Sequence, residues 1–529
     1  MDSFTLASVL VGVGWFLLWL RSKSSIPYPP GPSGNLLFGS ALELRKSKAF
    51  WLNFAQWSKE YGPIMTIRMA YRSLFVVDDP NVAVSLFEKK ASQYSDRYVS
   101  ELAKLGEWDH DIIFIEYGPT LKHYRTLLQK ALNNRVALDY LPLQEHEVKR
   151  LLRRLYETPE QFMEHVHLMA GSVAIRMVYG YKVDSAQDPL VQSAEKVMSI
   201  FSDIMTPGRW MIEVFPFLRY LPTWFPGTAF HQMVASSRPV LHSFAENTFT
   251  FVKSESLKGT AEPSFTSKLL ESDSSEGITS EEELHVKRIA SSLYGAASDT
   301  TVSAVKSFFL AMTLYPDVQA KAQSEISTYF DQTQLSKGRF VTMDDRDKLP
   351  YTSALVRELL RWHPVANLTA HRSCGKDDNS VVVGENVYRI PAYSIVIVNM
   401  WSMLHNPSVY PDPGKFIPER HLVENPPPAP ELYAFGFGRR MCPGTHVAQQ
   451  SMWLSISNIL ANFTITKAKD ENGAEIIPKE EYTNEVIRSG NNGFTDSHPA
   501  PFKCKITPRE GWEKWSTETG VPAHGSDTD

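Results

Sequence analysis

Cys442 lies in a glycine-rich segment whose residue types suit the binding of a large ligand. The segment, residues 435–444, reads FGFGRRMCPG. Its glycines permit positive φ angles and a close approach of the backbone to a bulky group. Backbone amides in such a turn can point at a sulfur and stabilise its thiolate. Arg440, two residues before the cysteine, can bind a carboxylate through a bidentate fork.

A thiolate, an open backbone and a nearby arginine are what a haem held by an axial cysteine requires. A thiolate ligand pushes electron density onto the iron and favours cleavage of the O–O bond. The alternative interpretation is a glycine-rich turn around a buried, inert cysteine, which Cys442 alone would favour. The other two cysteines, Cys374 and Cys504, are far away in the sequence and no CxxC pair exists. This excludes a zinc ribbon and favours a reducing compartment over a disulfide framework.

An acid–alcohol pair, Asp299 and Thr300, lies on the longest predicted helix. This helix starts after Thr279, which Glu282 follows three residues later in the pattern of a capping box. Nothing breaks the helix before Pro316, so we predict about 34 residues and a length of about 50 Å, enough to cross a whole domain.

One stripe of this helix narrows from large to small side chains and then presents a hydroxyl. Its members are spaced by four, three, four and four residues, namely Ile289, Leu293, Ala296, Thr300 and Ala304. The stripe can belong to a core helix whose threonine bonds back to a carbonyl one turn earlier. Alternatively, the helix leaves room for a ligand beside Ala296 and Ala297 and directs the acid–alcohol pair at it.

Three charged residues from two segments can form a network. Glu358 and Arg361 are three residues apart on a predicted helix that Pro364 ends, so they can meet on one face. Such a pair means little alone, since an exposed pair contributes about 0–1 kcal/mol. If Arg420 of the segment FIPER joins them, the network could pin the loop that follows.

The composition predicts a globular protein. The chain has 529 residues, a formal charge of −5, 43% hydrophobic and 21% charged residues, which argues against long-range disorder and against nucleic acid as a partner. Strand-like runs are confined to residues 64–68, 74–77, 381–383 and 394–398, and most other segments predict helices. Because no repeat and no second stiff linker interrupts residues 45–508, we expect one large, mainly α domain with small β-sheets.

The N-terminus predicts a transmembrane helix. Residues 3–20 are uncharged and mostly apolar, and as a helix they span about 27 Å, close to the hydrocarbon thickness of a bilayer. Arg21 and Lys23 follow, which places the rest of the chain in the cytoplasm. A cleaved signal peptide or a buried core helix is the alternative. The predicted organisation is an anchor over 1–20, a basic, proline-rich hinge acting as a stiff spacer over 21–44, a domain over 45–508 and a polar tail over 509–529.

The cysteine segment resembles the haem-binding signature of the cytochrome P450 family of haem-thiolate monooxygenases, in the pattern Phe435-x-x-Gly438-x-Arg440-x-Cys442-x-Gly444. The segment AASDTT, which starts at Ala296, is similar to the family's oxygen-activating helix motif. Glu358-x-x-Arg361 resembles its invariant pair, and the segment ending at Arg420 resembles the one that completes that triad. The resemblance covers nearly the whole chain, is strongest to fungal members of secondary metabolism, and implies the cytochrome P450 fold with a microsomal anchor.

Two positions depart from the family pattern. Ala297 replaces the usual glycine of the oxygen helix, and we expect the oxygen groove to survive because alanine is also small. A Trp-x-x-x-Arg pattern on an earlier helix is matched here by Leu121 and Arg125, so the hydrogen bond of the tryptophan to a haem propionate is lost, with Lys122 as a candidate substitute. By position, Arg372 resembles a further propionate partner, unless it is a surface arginine.

The resemblance implies specific roles for these residues. Cys442 would be the axial ligand of the iron in haem b (iron protoporphyrin), and Thr300 and Asp299 would deliver protons. Electrons from NADPH would arrive through NADPH–cytochrome P450 reductase, with a cytochrome b-type protein as a second candidate donor. The protein would be a single-pass membrane protein of the endoplasmic reticulum whose catalytic domain faces the cytoplasm. The remaining haem-site residues would be Arg440, Arg125 and Arg372 at the propionates and Phe435, Gly438, Gly444 and Ala296 around the ring.

The substrate is expected to be a lipophilic small molecule, such as a terpenoid or polyketide. Candidate pocket walls are residues 98–115, the oxygen helix near Leu293, residues 365–369 and residues 490–495, all largely apolar. Residues 211–225 mix aromatic residues and prolines, which suits contact with a bilayer surface, although an ordinary hydrophobic loop under a neighbouring helix would look similar.

Two other functions are open at this point. A haem-thiolate isomerase or dehydratase would rearrange a peroxide without a reductase, and it would not need the proton delivery that Asp299 and Thr300 suggest. A non-catalytic haem sensor or carrier would need neither the acid–alcohol pair nor a large apolar pocket.

Overall fold

The computed structural model describes most of the chain between residues 26 and 510. Among the described residues, no helix is both long and apolar enough to cross a bilayer. The anchor predicted over 1–20, the pocket wall predicted over 490–495 and residues 511–529 of the predicted tail lie outside the described residues. The described residues are 26–35, 39–40, 43–44, 47, 49–69, 72–183, 185, 187–206, 209–213, 215–271, 279–333, 339–483 and 497–510.

Helices dominate the fold, as the sequence predicts. The α-helices are α1 (Phe50–Tyr61), α2 (Pro80–Val84), α3 (Ala91–Tyr94), α4 (Glu101–Leu105), α5 (Pro119–Leu132), α6 (Asn134–Ala137), α7 (Leu141–Glu157), α8 (Phe162–Tyr179), α9 (Pro189–Met205), α10 (Phe230–Lys258), α11 (Phe265–Glu271), α12 (Ser280–Leu314), α13 (Pro316–Gln332), α14 (Pro350–Trp362), α15 (Met400–Leu404), α16 (Glu431–Ala434) and α17 (Thr445–Asn462).

The strands form small, separate sheets. One sheet has the order β1-β2-β6-β3, in which only the β2–β6 pair is parallel, and three smaller sheets have the orders β11-β7-β8, β4-β5 and β10-β9. The four predicted strand runs are confirmed in β1, β2, β4 and β6. The strands are β1 (Ile64–Met69), β2 (Arg72–Val77), β3 (Leu368–Arg372), β4 (Asp378–Val383), β5 (Asn386–Ile390), β6 (Ile395–Asn399), β7 (Phe463–Lys469), β8 (Glu475–Ile476), β9 (Tyr482–Thr483), β10 (His498–Pro499) and β11 (Cys504–Pro508).

Helix α12 runs through the middle of the molecule. It begins at the predicted capping box, in which the Thr279 hydroxyl accepts from the Glu282 amide and the Glu282 carboxylate accepts from the Thr279 amide, and it continues for 35 residues. Its N-terminal part, around Leu293, is buried in one apolar core with α5, α8, α9 and α10. Its C-terminal part, from Val302 onwards, is buried in another core with α7, α14 and α17. The acid–alcohol pair therefore lies where the helix passes from one core to the other.

The proline-rich segment is attached to the body of the protein. The amide of Thr66, on β1, donates to the carbonyl oxygen of Pro30 at 2.8 Å, and the amide of Arg389, on β5, donates to that of Pro27 at 2.9 Å. A Cβ on Gly31 would lie 1.9 Å from the carbonyl oxygen of Thr66, so only glycine allows this approach. The described part of the predicted hinge therefore packs on the β1 and β5 strands, and its role as a stiff spacer stays a prediction.

Candidate functional site

The loop around Cys442 is closed by a backbone hydrogen bond and by a glycine contact. The loop joins a 3₁₀ turn, residues 438–440, to the N-terminus of α17. The Cys442 amide donates to the carbonyl oxygen of Phe435 at 2.8 Å. Gly438 has a φ of +56°, and a Cβ there would lie 2.0 Å from the carbonyl oxygen of Phe87. Both the conformation and the contact require glycine at position 438.

The environment of the Cys442 sulfur favours a thiolate. The half-buried side chain stands just before the first turn of α17, and the N-terminus of a helix stabilises negative charge. A Cβ on Gly444 would lie 3.9 Å from the sulfur, so the glycine keeps that side of the thiol open. Arg125, on α5, donates from Nη1 to the carbonyl oxygen of Met441 at 2.8 Å. Burial lowers the pKa of Arg125, and attraction to Cys442 opposes that shift.

Arg440 binds backbone carbonyls from the segment before α5. Its Nε donates to Ser95 at 2.7 Å, its Nη1 to Ile112 at 3.2 Å, and its Nη2 to Ile115. Burial, followed by the charge of Arg97, lowers the pKa of Arg440 to about 9. The cysteine loop is thus tied to the chain region predicted as a pocket wall.

Arg97 joins Arg125 and Arg440 in a positive cluster that the sequence did not reveal. Burial lowers the pKa of Arg97 to about 10, although Asp96 opposes the shift. Its buried Nε has no hydrogen-bond acceptor among the described residues. His371, on β3, faces the same cluster, because burial and then the charges of Arg97 and Arg440 keep its pKa well below the ordinary value. Three guanidinium groups close together provide a site for carboxylates.

Arg372 lies at the edge of this cluster, because it shares Asp96 with Arg97 and Arg440. Its Nη1 is 3.3 Å from Oε1 of Glu116 and 3.6 Å from Oδ2 of Asp96, and its guanidinium lies 4.9 Å from the centre of the Tyr393 ring. Its role at a propionate stays a prediction. The candidate substitute Lys122 lies with its ammonium 5.6 Å from the Tyr117 ring.

Cys442, Ala296 and Thr300 line the same cavity, which has a volume of about 650 Å³ including its opening to solvent. The hydroxyl of Thr300 donates to the carbonyl oxygen of Ala296 at 3.0 Å, the bond expected for a threonine in a core helix, while the residue still borders the cavity. The walls are mainly apolar and include Met169, Val173 and Met177 of α8, Leu293 of α12 and Val447 of α17. The thiol and the hydroxyl therefore face a common, apolar space.

Asp299 is buried beside a histidine from the other end of the chain. Oδ2 of Asp299 lies 3.0 Å from Nε2 of His498, on β10. Burial would raise the pKa of Asp299, but the charge and hydrogen bond of His498, with smaller contributions from His167 and Lys306, hold it below the ordinary value. Sequence reasoning missed His498, since nothing in its local sequence connects it to a residue 199 positions earlier.

The predicted charge network is present and is larger than expected. Glu358 and Arg361 are fully buried with 2.9 Å between Oε1 and Nη2, and Nε of Arg420 is 3.1 Å from the same oxygen. Glu358 also contacts Nε2 of His421 at 3.0 Å and accepts from the amide of Ile417 at 2.9 Å. The sequence did not predict a role for His421, because the motif FIPER ends at Arg420, one residue earlier.

Arg361 extends the network into the preceding loop. Its remaining N–H groups donate to three backbone carbonyls, those of Leu404, Pro413 and Lys415, at 2.9 to 3.1 Å. The network thereby fixes residues 404–421, which lead towards the cysteine segment.

These residues fit a haem. The single thiol at a helix N-terminus is a donor suited to iron, the arginine cluster with the unsatisfied Nε of Arg97 suits the two propionates, and the apolar cavity suits the ring. Ala296, with its small side chain, and Gly444, which has none, both border this cavity and leave room for the ring.

Comparison with known proteins gives the family. The family model for cytochrome P450 matches residues 29–486. The cytochrome P450 monooxygenase claR of Ampulloclitocybe clavipes is 38% identical over 514 residues, which cover 96% of this chain and 91% of that protein. Cytochrome P450 monooxygenase 208 of Postia placenta is 35% identical over 509 residues, with coverages of 95% and 94%. Cytochrome P450 monooxygenase ppsD of Aspergillus oryzae is 34% identical over 512 residues, with coverages of 95% and 93%.

Similarity to named monooxygenases over almost the full chain does not favour the isomerase or dehydratase alternative. The order of the motifs along the chain, the helical fold and the cysteine-lined cavity agree with the family match. This chain belongs to the cytochrome P450 family and is a haem-thiolate monooxygenase.

Proposed function

We propose that this monooxygenase inserts one oxygen atom of O₂ into a lipophilic small molecule of fungal secondary metabolism, such as a terpenoid or a polyketide. The observation that carries the proposal is the apolar cavity shared by Cys442 and Thr300. Its walls offer little hydrogen bonding, so burial of apolar surface would supply most of the binding energy for the substrate.

In this proposal Cys442 would hold the iron of haem b through its sulfur, and the N-terminus of α17 would stabilise the thiolate. Arg97, Arg125 and Arg440 neutralise the propionates, with Arg372 as a further candidate. Haem, when bound, supplies the activation of O₂ and the transfer of one oxygen atom to the substrate. Phe435, Gly438, Gly444 and Ala296 shape the space around the ring.

The chain's own residues would control protons and water. The Thr300 hydroxyl donates its hydrogen bond to the Ala296 carbonyl oxygen, so the hydroxyl oxygen can accept a hydrogen bond from a proton donor in the cavity. Asp299, one residue earlier on α12, holds negative charge on the protein side of the helix. The apolar walls exclude bulk water, which confines proton transfer to this pair.

Membrane attachment and electron supply complete the proposal. The predicted helix over 1–20 anchors the chain in the endoplasmic reticulum membrane, and NADPH–cytochrome P450 reductase or a cytochrome b-type protein donates electrons on the cytoplasmic side. Residues 211–225 support contact with the bilayer, because Tyr220 and Trp224 are 80% and 79% exposed and Met211, Phe215 and Phe217 are also exposed. Exposed aromatic residues of this kind prefer the membrane interface.

The first experiment expresses the full chain together with a reductase and compares Cys442→Ser with Cys374→Ser. Cys374 is a matched control, because it is also a half-buried thiol, with its sulfur 3.1 Å from the carbonyl oxygen of Ser92. We expect Cys442→Ser to lose the thiolate-type absorption shift of the reduced carbon monoxide complex, and Cys374→Ser to keep it. If Cys442→Ser retains the shift, the assignment of the ligand is wrong.

The second experiment addresses the substrate. The full chain and a reductase are expressed in a host that makes candidate terpenoid and polyketide scaffolds, and products are identified by mass spectrometry. A mass increase of one oxygen atom that requires Cys442 supports the proposal. Oxidation confined to small, water-soluble compounds would contradict the lipophilic substrate class.

A further inference from the structure

His498 and Asp299 form a buried acid–base pair behind the oxygen-activating helix. Nε2 and Oδ2 are 3.0 Å apart, and the two side chains are 10% and 2% exposed. Two hydrogen bonds fix Ser497, the residue before His498. The Ser303 hydroxyl of α12 donates a hydrogen bond to the carbonyl oxygen of Ser497, and the Ser497 amide donates to the carbonyl oxygen of Val365 at 2.9 Å. The histidine is therefore held against α12 by its own strand.

The other charged groups around Asp299 act from a greater distance. His167 of α8 and Lys306 of α12 lower the pKa of Asp299 less than His498 does, and burial acts in the opposite direction. Glu195 of α9 offsets part of the charge of His167, since the two are 3.6 Å apart. Among the groups that lower the pKa of Asp299, His498 therefore has the largest effect.

A second cavity lies on the same side of α12. It is a small cavity lined by Ser298, His167 and Glu195 among others, and Ser298 precedes Asp299 in the chain. The side chains of His167 and Glu195 are 28% and 37% exposed, so they connect this cavity with solvent. Thr300 borders the cysteine-lined cavity instead. Asp299 therefore stands in the chain between a residue that borders the second cavity and a residue that borders the cysteine-lined cavity.

We propose that His498 loads Asp299 with the protons that Thr300 passes into the cysteine-lined cavity. The proton leaves Nε2 of His498 and binds Oδ2 of Asp299, which converts a charged pair into a neutral one and weakens the contact. The neutral carboxylic acid can then turn towards Thr300, release its proton and return as a carboxylate, while His498 takes a new proton from solvent. His498 acts through Asp299 and is a positioning residue. This inference rests on the proposed roles of Asp299 and Thr300.

The test uses His498→Gln, which can keep a hydrogen bond to Asp299 but carries no transferable proton, in the full-length protein with a reductase. We expect the fraction of NADPH electrons that appear in product to fall about tenfold and hydrogen peroxide to rise. This is less than the roughly 100-fold effect at the low end for a lost proton donor, because water replaces the donor in part. The matched control is His165→Gln, since His165 and His498 are both 8% exposed and His165 contacts Thr158 instead. We expect the control to keep wild-type coupling. Unchanged coupling in His498→Gln would overturn the proposal.

A measurement without turnover separates this role from a structural one. Infrared difference spectroscopy follows the titration of the Asp299 carboxyl band, which is identified by its loss in Asp299→Asn. We expect the pKa of Asp299 to be higher in His498→Gln than in the wild type, because only more distant charges then oppose the effect of burial. An unshifted titration would refute the link. In the double variant, coupling should fall no further than in Asp299→Asn, and an additive loss would also refute it. The carbon monoxide spectrum of each variant reports haem binding by Cys442, so a failure of the proposed function is seen independently.

Discussion

Replacing Arg361 by methionine tests the buried charge network most directly. The change removes the guanidinium but keeps a long, apolar side chain in the core. Glu358 and Arg361 are both fully buried, so the variant leaves a carboxylate in a poorly solvated site, and three backbone carbonyls lose their donor. Breaking a buried pair by removing one partner costs about 3–5 kcal/mol. We expect a loss in this range, since Arg420 and His421 continue to contact the carboxylate but the lost carbonyl donors are not replaced.

Arg153→Met is the matched control. Arg153 pairs with Glu157 on α7 with 2.8 Å between Nε and Oε1, at side-chain exposures of 30% and 39%. An exposed pair of this kind contributes about 0–1 kcal/mol. The assay is urea unfolding of both full-length variants in detergent, followed by tryptophan fluorescence. If the two variants lose the same free energy of unfolding, the network does not stabilise the fold as we infer.

The pH dependence gives a second check on Arg361→Met. Burial would raise the pKa of Glu358, but the hydrogen bonds of His421 and Arg361, followed by the charge of Arg361, hold it below the ordinary value. Because the folded-state pKa is depressed, the stabilisation is present above the unfolded-state value and is lost as the pH falls through the folded-state value. In the variant, Glu358 accepts a proton more easily, so the difference from the wild type should narrow as the pH is lowered from neutral to about 4. A constant difference would contradict this account.

Three further changes test the site and the membrane surface. Thr300→Ala should keep the carbon monoxide spectrum but divert electrons to hydrogen peroxide, and tight coupling would exclude Thr300 from proton transfer. Gly438→Ala should lose most haem binding, because its Cβ would collide with a carbonyl oxygen. The control Gly375→Ala, with a φ of +63° but no atom within 4 Å of a Cβ, should lose only about 1–2 kcal/mol of stability. Equal losses of stability for the two variants in urea unfolding would contradict the steric argument. Replacing Tyr220 and Trp224 by serine should weaken binding to lipid vesicles in a flotation assay once residues 1–25 are removed, and unchanged binding would argue against contact of residues 211–225 with the bilayer.

Features encoded over a few consecutive residues could be predicted from the sequence. The capping box at Thr279 fixes where α12 starts, and the runs of β-branched residues fix β1 and β6. The cysteine loop is equally local, because the positive φ of Gly438 is a property of the loop itself. The chemistry assigned to Cys442 therefore needed no knowledge of the rest of the fold.

Elements and contacts that depend on distant segments could not be predicted. Helix α17 ends at Asn462 and β7 begins at Phe463, so no turn residue marks the boundary, and the partner strand β11 comes about forty residues later. His498 and His421 are ordinary histidines in the sequence, and Arg97 has no distinctive spacing. Their roles arise only when the fold brings them to Asp299, Glu358 and the cysteine loop.

The attachment of the proline-rich segment decides how the protein can be shortened. Removal of residues 1–25 leaves the carbonyl groups of Pro27 and Pro30 in place, so the amides of Arg389 and Thr66 keep their acceptors. Removal of residues 1–32 would also remove Pro30 and leave the Thr66 amide of the edge strand β1 without its acceptor, which invites pairing with another chain. Shortened proteins that start near residue 26 should therefore aggregate less than proteins that start at the first residue after the prolines.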